Sequence, residues 1–125
     1  MPLVTFQKEY LINASDKIVF QCLTTPSGLS GWFADDVNIR GNVFTFIWDG
    51  SEERAELISK KKDDYVRFKW LDVPEEKILE MRIRIDELTG ELALLISDMA
   101  EEDELEEAGM LWNKQIDNLK HLLGS

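Results

Sequence analysis

The stretch Val66-Arg67-Phe68-Lys69-Trp70 places an apolar side chain at every second position with a cation between, the alternation of a strand that buries one face. The same period continues on both sides of it. Upstream, Phe44, Phe46 and Trp48 alternate with Thr45 and Ile47; downstream, Leu79, Met81, Ile83 and Ile85 alternate with Glu80, Arg82, Arg84 and Asp86. Gly41-Asn42, Asp49-Gly50, Asp63-Asp64, Val73-Pro74-Glu75 and Thr89-Gly90 interrupt the pattern with turn-forming composition. The spacing predicts strands over about 36–40, 43–49, 53–61, 64–71, 77–86 and 91–98, joined as an antiparallel meander.

Residues 3–12 form a further alternating segment, with Val4, Phe6, Tyr10 and Ile12 on one face, interrupted by Lys8, and Thr5, Gln7 and Glu9 on the other. Asn13-Ala14-Ser15-Asp16 then offers capping side chains ahead of the apolar Ile18, Val19, Phe20, Cys22 and Leu23, a short helix. Pro26 stops that helix and opens a second over 26–33, where Leu29, Trp32 and Phe33 fall at helical spacing. At the other end, residues 102–123 carry Leu105, Ala108, Leu111, Trp112, Ile116, Leu119 and Leu122/Leu123 at intervals of three and four, which is an amphipathic helix. Glu102, Asp103, Glu104, Glu106 and Glu107 in its first turns, with Lys114 and Lys120 later, suit the helix dipole. The expected architecture is α+β: an antiparallel sheet closed by one long C-terminal helix, in a single domain over residues 1–125.

The chain has 125 residues, 44% hydrophobic and 31% charged, enough apolar content for one core and unlike a disordered composition. Its net charge of −11 repels phosphate backbones, and the basic triplet Lys60-Lys61-Lys62 runs straight into Asp63-Asp64, so nucleic acid is not an expected partner. The lone Cys22 has no internal disulfide partner, and the N-terminus lacks the basic and then apolar run of a secretory signal. No stretch approaches the roughly 20 apolar residues that span a bilayer, so a cytoplasmic protein with no membrane embedding is expected.

Thr25-Pro26-Ser27-Gly28-Leu29-Ser30-Gly31-Trp32 resembles the Thr-Pro-x-x-Leu-x-x-Trp segment of the START-like (SRPBCC, helix-grip) superfamily. The branch it is most similar to contains relatives of the activator of the ninety-kilodalton heat-shock protein's ATPase. Gly109-Met110-Leu111-Trp112, followed by Leu119-Lys120-His121-Leu122-Leu123, is similar to that branch's C-terminal helix. The resemblance covers essentially the whole chain. It implies a helix-grip fold, in which a curved sheet wraps around the long helix and two short helices lie between the first two strands. The role it implies first is the holding of a small apolar or amphipathic, lipid-like ligand, the second is protein interaction of the co-chaperone kind, and the last is a cyclase or hydrolase using the same cavity.

Residues expected to line a cavity between sheet and helix are Phe46, Trp48, Phe68, Trp70, Met81, Ile83, Met110 and Trp112. No catalytic residue, metal site or cofactor is expected. His121 in the last helical turn has no triad partner nearby in sequence, and Cys22 on the apolar face of the first helix reads as a small buried hydrophobe. Asp35-Asp36 reads as solvated or capping, and the acidic run 101–107 lacks the ligand spacing and glycine of a calcium loop. Lys8, Tyr10, Arg82 and Asp98 are the remaining titratable groups to watch, because their convergence in one cavity would point to an enzyme. In the interaction reading, the acidic surface and Lys60–Lys62 steer a partner.

Overall fold

Alternation in the sequence becomes a seven-stranded antiparallel sheet in the computed structural model, which describes residues 2–125. Its strands are β1 (Leu3–Ile12), β2 (Asp36–Arg40), β3 (Val43–Trp48), β4 (Ser51–Lys61), β5 (Tyr65–Trp70), β6 (Ile78–Ile85) and β7 (Leu92–Glu101), in spatial order β1-β7-β6-β5-β4-β3-β2. The meander is therefore continuous from β2 to β7, and β1 joins its far side. Helices α1 (Asp16–Thr24) and α2 (Pro26–Leu29) lie between β1 and β2, and a short 3-10 turn, Glu102–Glu104, leads into α3 (Leu105–Leu123). This is the helix-grip arrangement of a curved sheet around a long C-terminal helix. Among the described residues, no helix is long and apolar enough to cross a membrane.

The two-residue Asp49-Gly50 turn joins β3 to β4 with both residues at positive φ, 50° and 81°, the twist that lets a tight hairpin follow the sheet. Phe44, Phe46, Val66, Phe68, Leu79, Met81, Leu94 and Ile96 all point to the helix side and are buried there. Ile85, at the end of that row on β6, is 48% exposed, because the strand runs past the area that α1 and α3 cover. β7 continues to Glu101, three residues beyond the alternation legible in the sequence, because its register with β1 runs out to Leu3 opposite Glu101.

One irregularity sits in β4. The pairing with β5 shifts between Leu57 and Ser59, leaving Ile58 as an unpaired bulge, 45% exposed. Before it, Ala55 and Leu57 lie on the core side, Leu57 opposite Phe68; after it, Lys60 does, opposite Val66. Ser59 and Lys61 pair with Arg67 and Tyr65 on the outer face. There the Tyr65 ring lies 4.9 Å from the Arg67 guanidinium and 4.5 Å from that of Arg82, and Glu80 pairs with both arginines.

The segment from Thr25 to Trp32 owes its shape to four contacts. The Thr25 hydroxyl donates to the Gln21 carbonyl at 2.8 Å and accepts from the Gly28 amide at 3.0 Å, ending α1 and starting α2 with one side chain. Pro26 occupies the first turn of α2, Leu29 is fully buried, and the Trp32 indole donates to the Cys22 carbonyl at 2.8 Å. Gly28 is needed because a Cβ there would press on the Gln21 carbonyl oxygen and stand 2.7 Å from the Cys22 Cα. α2 ends at Leu29, and Trp32 and Phe33 reach the core through the turns that follow rather than through a helix running to 33. Gly28→Ala is expected to destabilise the protein by about 1–3 kcal/mol, since backbone rather than a movable side chain must yield. An unchanged denaturation midpoint would show that the two helices can separate at little cost.

Candidate functional site

Helix α3 presents its stripe of Trp112, Gln115, Ile116 and Leu119 to the sheet, all buried. Polar groups tie it down along its length. Lys8 donates to the Gly109 carbonyl at 3.3 Å, the Tyr10 hydroxyl to Asn113 Oδ1 at 2.7 Å, and the Trp112 indole to Asp98 Oδ2 at 2.7 Å. The Phe33 carbonyl accepts twice, from the Trp48 indole at 2.7 Å and from the Gln115 amide at 3.0 Å. Gln115 is thus a buried polar residue with a defined partner, a position that apolar periodicity does not reveal.

Two clefts lie along this helix and meet at Leu111. The larger, about 750 Å³, has Trp32, Phe33, Ala34 and Trp48 on one side and Leu111, Lys114, Gln115 and Asn118 of α3 on the other, with Asp35 and Glu53 at its rim. The smaller, about 400 Å³, lies between the end of β7, the β5–β6 loop and the start of α3, with Asp98, Lys77 and Trp112 in its lining and Glu101, Glu104 and Glu107 around it. Leu111, 56% exposed, borders both.

Of the residues expected to line a cavity, Trp48 borders the larger cleft and Trp112 the smaller. Phe46, Phe68, Trp70, Met81 and Ile83 border neither. The Phe46 ring stands 5.1 Å from Phe33, 5.7 Å from Trp48, 6.0 Å from Phe68 and 5.6 Å from Trp70, so aromatic side chains occupy the middle of the sheet's concave face. Met110 does not point inward: it is 64% exposed. Two residues along a helix is a rotation of about 200°, which sets Met110 opposite Trp112.

Asp98 is the titratable group with the most unusual surroundings. Its strand position opposite Phe6 puts it on the concave face, where burial pushes its carboxyl above the usual range. The Trp112 indole, the Met99 amide and the Lys77 charge oppose that shift without cancelling it. A folded pKa above the unfolded one means that the group favours folding at low pH, and that this contribution is lost as the pH rises through the folded value. Relative to Asp98→Asn, the wild-type protein is therefore expected to gain stability as the pH falls through the folded value. Denaturant titration at several pH values checks this, and the opposite trend would show that the donors outweigh burial.

The other titratable candidates do not join it. Lys8 and Tyr10 are engaged with α3, and Arg82 faces the opposite side of the sheet, beside Glu80 and Asp64. Asp35 accepts from the Asp49 amide and Asp36 from the Val37 amide, so both work as turn caps. His121 is exposed in the last turn of α3, whereas Cys22 is a buried free thiol whose pKa burial raises. Carboxylate oxygens of Glu101, Asp103 and Glu104 lie within 4.8 Å of one another at the helix start, close enough to share a cation.

The sequence matches the family model of the START-like superfamily domain over residues 2–125. The chain belongs to the START-like superfamily. Among solved structures, this START-like chain is 32% identical to the Bacteroides fragilis protein BfR322, covering 98% of this chain and 92% of that one with a TM-score of 0.69. It shares its fold with the Aha1 dimer from Colwellia psychrerythraea at 18% identity and a TM-score of 0.83, covering 96% of each chain. The Mesorhizobium loti protein MLL2253 is similar at 16% identity and a TM-score of 0.80, covering 97% of each. No curated protein matches the START-like chain.

Proposed function

We propose that this START-like chain acts as a single non-enzymatic domain that binds a small amphipathic molecule in the larger cleft beside α3. The observation that carries the reading is the cleft itself: about 750 Å³, with an aromatic wall of Trp32, Phe33 and Trp48 and a polar lip of Glu53, Lys114 and Asn118. That volume lies within the roughly 300–1,000 Å³ of small-molecule sites. An apolar body laid on the indole and phenyl rings gains about 25 cal/mol per Å² removed from water, while a polar end stays at the lip. Phe46 packs against Phe33 and Trp48, and Trp70 against Trp48, so they back this wall; Phe68, Met81 and Ile83 lie deeper on the same concave face, and Trp112 holds the helix that forms the other side.

An environment-sensitive apolar dye is expected to saturate near one site and to be displaced by fatty-acid-like molecules. Trp48→Ala should weaken it by roughly tenfold, the loss of about 1.4 kcal/mol, while Met110→Ala leaves it unchanged. Equal dye binding by the wild-type and Trp48→Ala proteins would remove the cleft from consideration. A second reading, a protein-interaction module, draws on the exposed side of α3, where Met110, Leu111 and Leu122 are 64%, 56% and 49% exposed. A partner held there would be lost on Met110→Glu with dye binding intact.

A further inference from the structure

A third cleft, about 530 Å³, lies away from α3, between α1 and the tip of the β4–β5 hairpin. Lys17, Phe20, Gln21 and Thr24 line it from α1, at helical intervals of three and four that bring them onto one face. Lys60, Lys62 and Asp63 line it from the hairpin. The bulge at Ile58 decides which lysines arrive there. Lys60 is turned to the core side opposite Val66, while Lys61 is turned to the outer face, where it pairs with Asp64 at 3.7 Å.

Three lysines and one aspartate, Asp63, therefore line one concavity, leaving an excess of two positive charges in a protein whose net charge is −11. Lys17, Lys60 and Lys62 form no ion pair among the described residues, so nothing in the fold consumes that excess. Like charges held around one hollow repel each other until an anion enters. Lysine suits the task of binding phosphate as a point charge.

We propose that this cleft is a binding site for a phosphate monoester group. Such a group carries about −1.5 to −2 charges at pH 7, which matches the local excess, whereas a carboxylate would leave half of it uncompensated. Gln21 adds a side-chain amide to the lining from α1, and Phe20 gives an apolar wall to whatever the phosphate is attached to. The protein's overall negative field opposes long polyanions. At about 0.15 M salt, however, fields are screened beyond about 8 Å, so a small dianion inside the cleft responds to the three lysines rather than to the whole surface. This site is separate from the cleft beside α3 and does not depend on the reading given to it.

The test is titration of isotope-labelled full-length protein, followed by amide chemical shifts, with inorganic phosphate and separately with dihexanoyl phosphatidic acid below its micelle concentration. Saturable shifts confined to residues 17–24 and 60–63 are expected in at least one titration. Lys60→Gln combined with Lys62→Gln should raise the apparent Kd roughly tenfold or more, and Lys61→Gln should leave it unchanged. All three positions are exposed, so the variants should fold. Tighter binding of the phosphatidic acid would assign the site to a lipid headgroup, and equal binding to free phosphate; both support the proposal. Shifts that never saturate, that map elsewhere or that survive the double substitution would overturn it, as would tighter binding of a glutamate-rich peptide at the same residues.

Discussion

Trp112→Ala is expected to cost the protein about 3–5 kcal/mol, a large fraction of the 5–15 kcal/mol that holds a domain of this size folded. Two losses combine. The indole is 4% exposed and stands 5.7 Å from the Phe33 ring and 6.4 Å from that of Trp32, so its removal leaves a void where α3 meets the helical segment before β2. It also donates to Asp98, whose carboxyl burial already penalises, and alanine takes that donor away. Trp112→Phe largely separates the two effects, since it keeps most of the packing and removes the donor. It should recover more than half of the loss in a denaturant titration. A cost below about 1 kcal/mol for Trp112→Ala would show that the side chain borders open space and anchors nothing.

The second large effect is expected at Phe46, which is 1% exposed and touches rings on three sides. Phe46→Ala should destabilise by about 3–5 kcal/mol, because the surrounding aromatics can collapse only partly into the space. Trp48→Ala, by contrast, should cost less stability and more ligand affinity, because Trp48 is partly exposed at a cleft wall. Measured together, the pair distinguishes core from lining. If Phe46→Ala leaves stability within about 1 kcal/mol of the wild type while opening or abolishing dye binding, the concave face is a cavity and the aromatic packing is looser than its ring distances imply.

The strands were legible because their alternation is a local property: Phe44, Phe46, Val66, Phe68, Leu79 and Met81 announce one face without reference to any partner strand. α3 was legible for the same reason, and the resemblance carried by Thr25-Pro26 and Trp32 marked the helical segment before β2. What escaped depends on contacts between distant residues. Nothing near Gln115 in sequence shows that the Phe33 carbonyl awaits it, and nothing near Asp98 shows that an indole from α3 will cap it. Met110 lies beside the main apolar stripe of α3, and its angle around the helix turns it to solvent despite its apolar character. The clefts were the hardest to foresee, since they lie where the aromatic filling stops, and that edge is set by how large side chains from several elements pack together.

The unpaired Ile58 acts in β4 as a frameshift acts in a coding sequence. Upstream of it, odd-numbered residues such as Ala55 and Leu57 face the core; downstream, Ser59 and Lys61 are also odd yet face outward, and Lys60 takes the inward place. The same type of substitution therefore has opposite consequences on the two sides of one residue. A charge is intolerable at 55, where the side chain is fully buried, whereas position 61 already carries an exposed lysine. If Ile58 instead took a regular place in the ladder, a single frame would run through the strand and the lysines would exchange, bringing Lys61 to the α1 side and taking Lys60 away from it. One unpaired residue thus decides whether the outer two or the middle one of three identical side chains face α1.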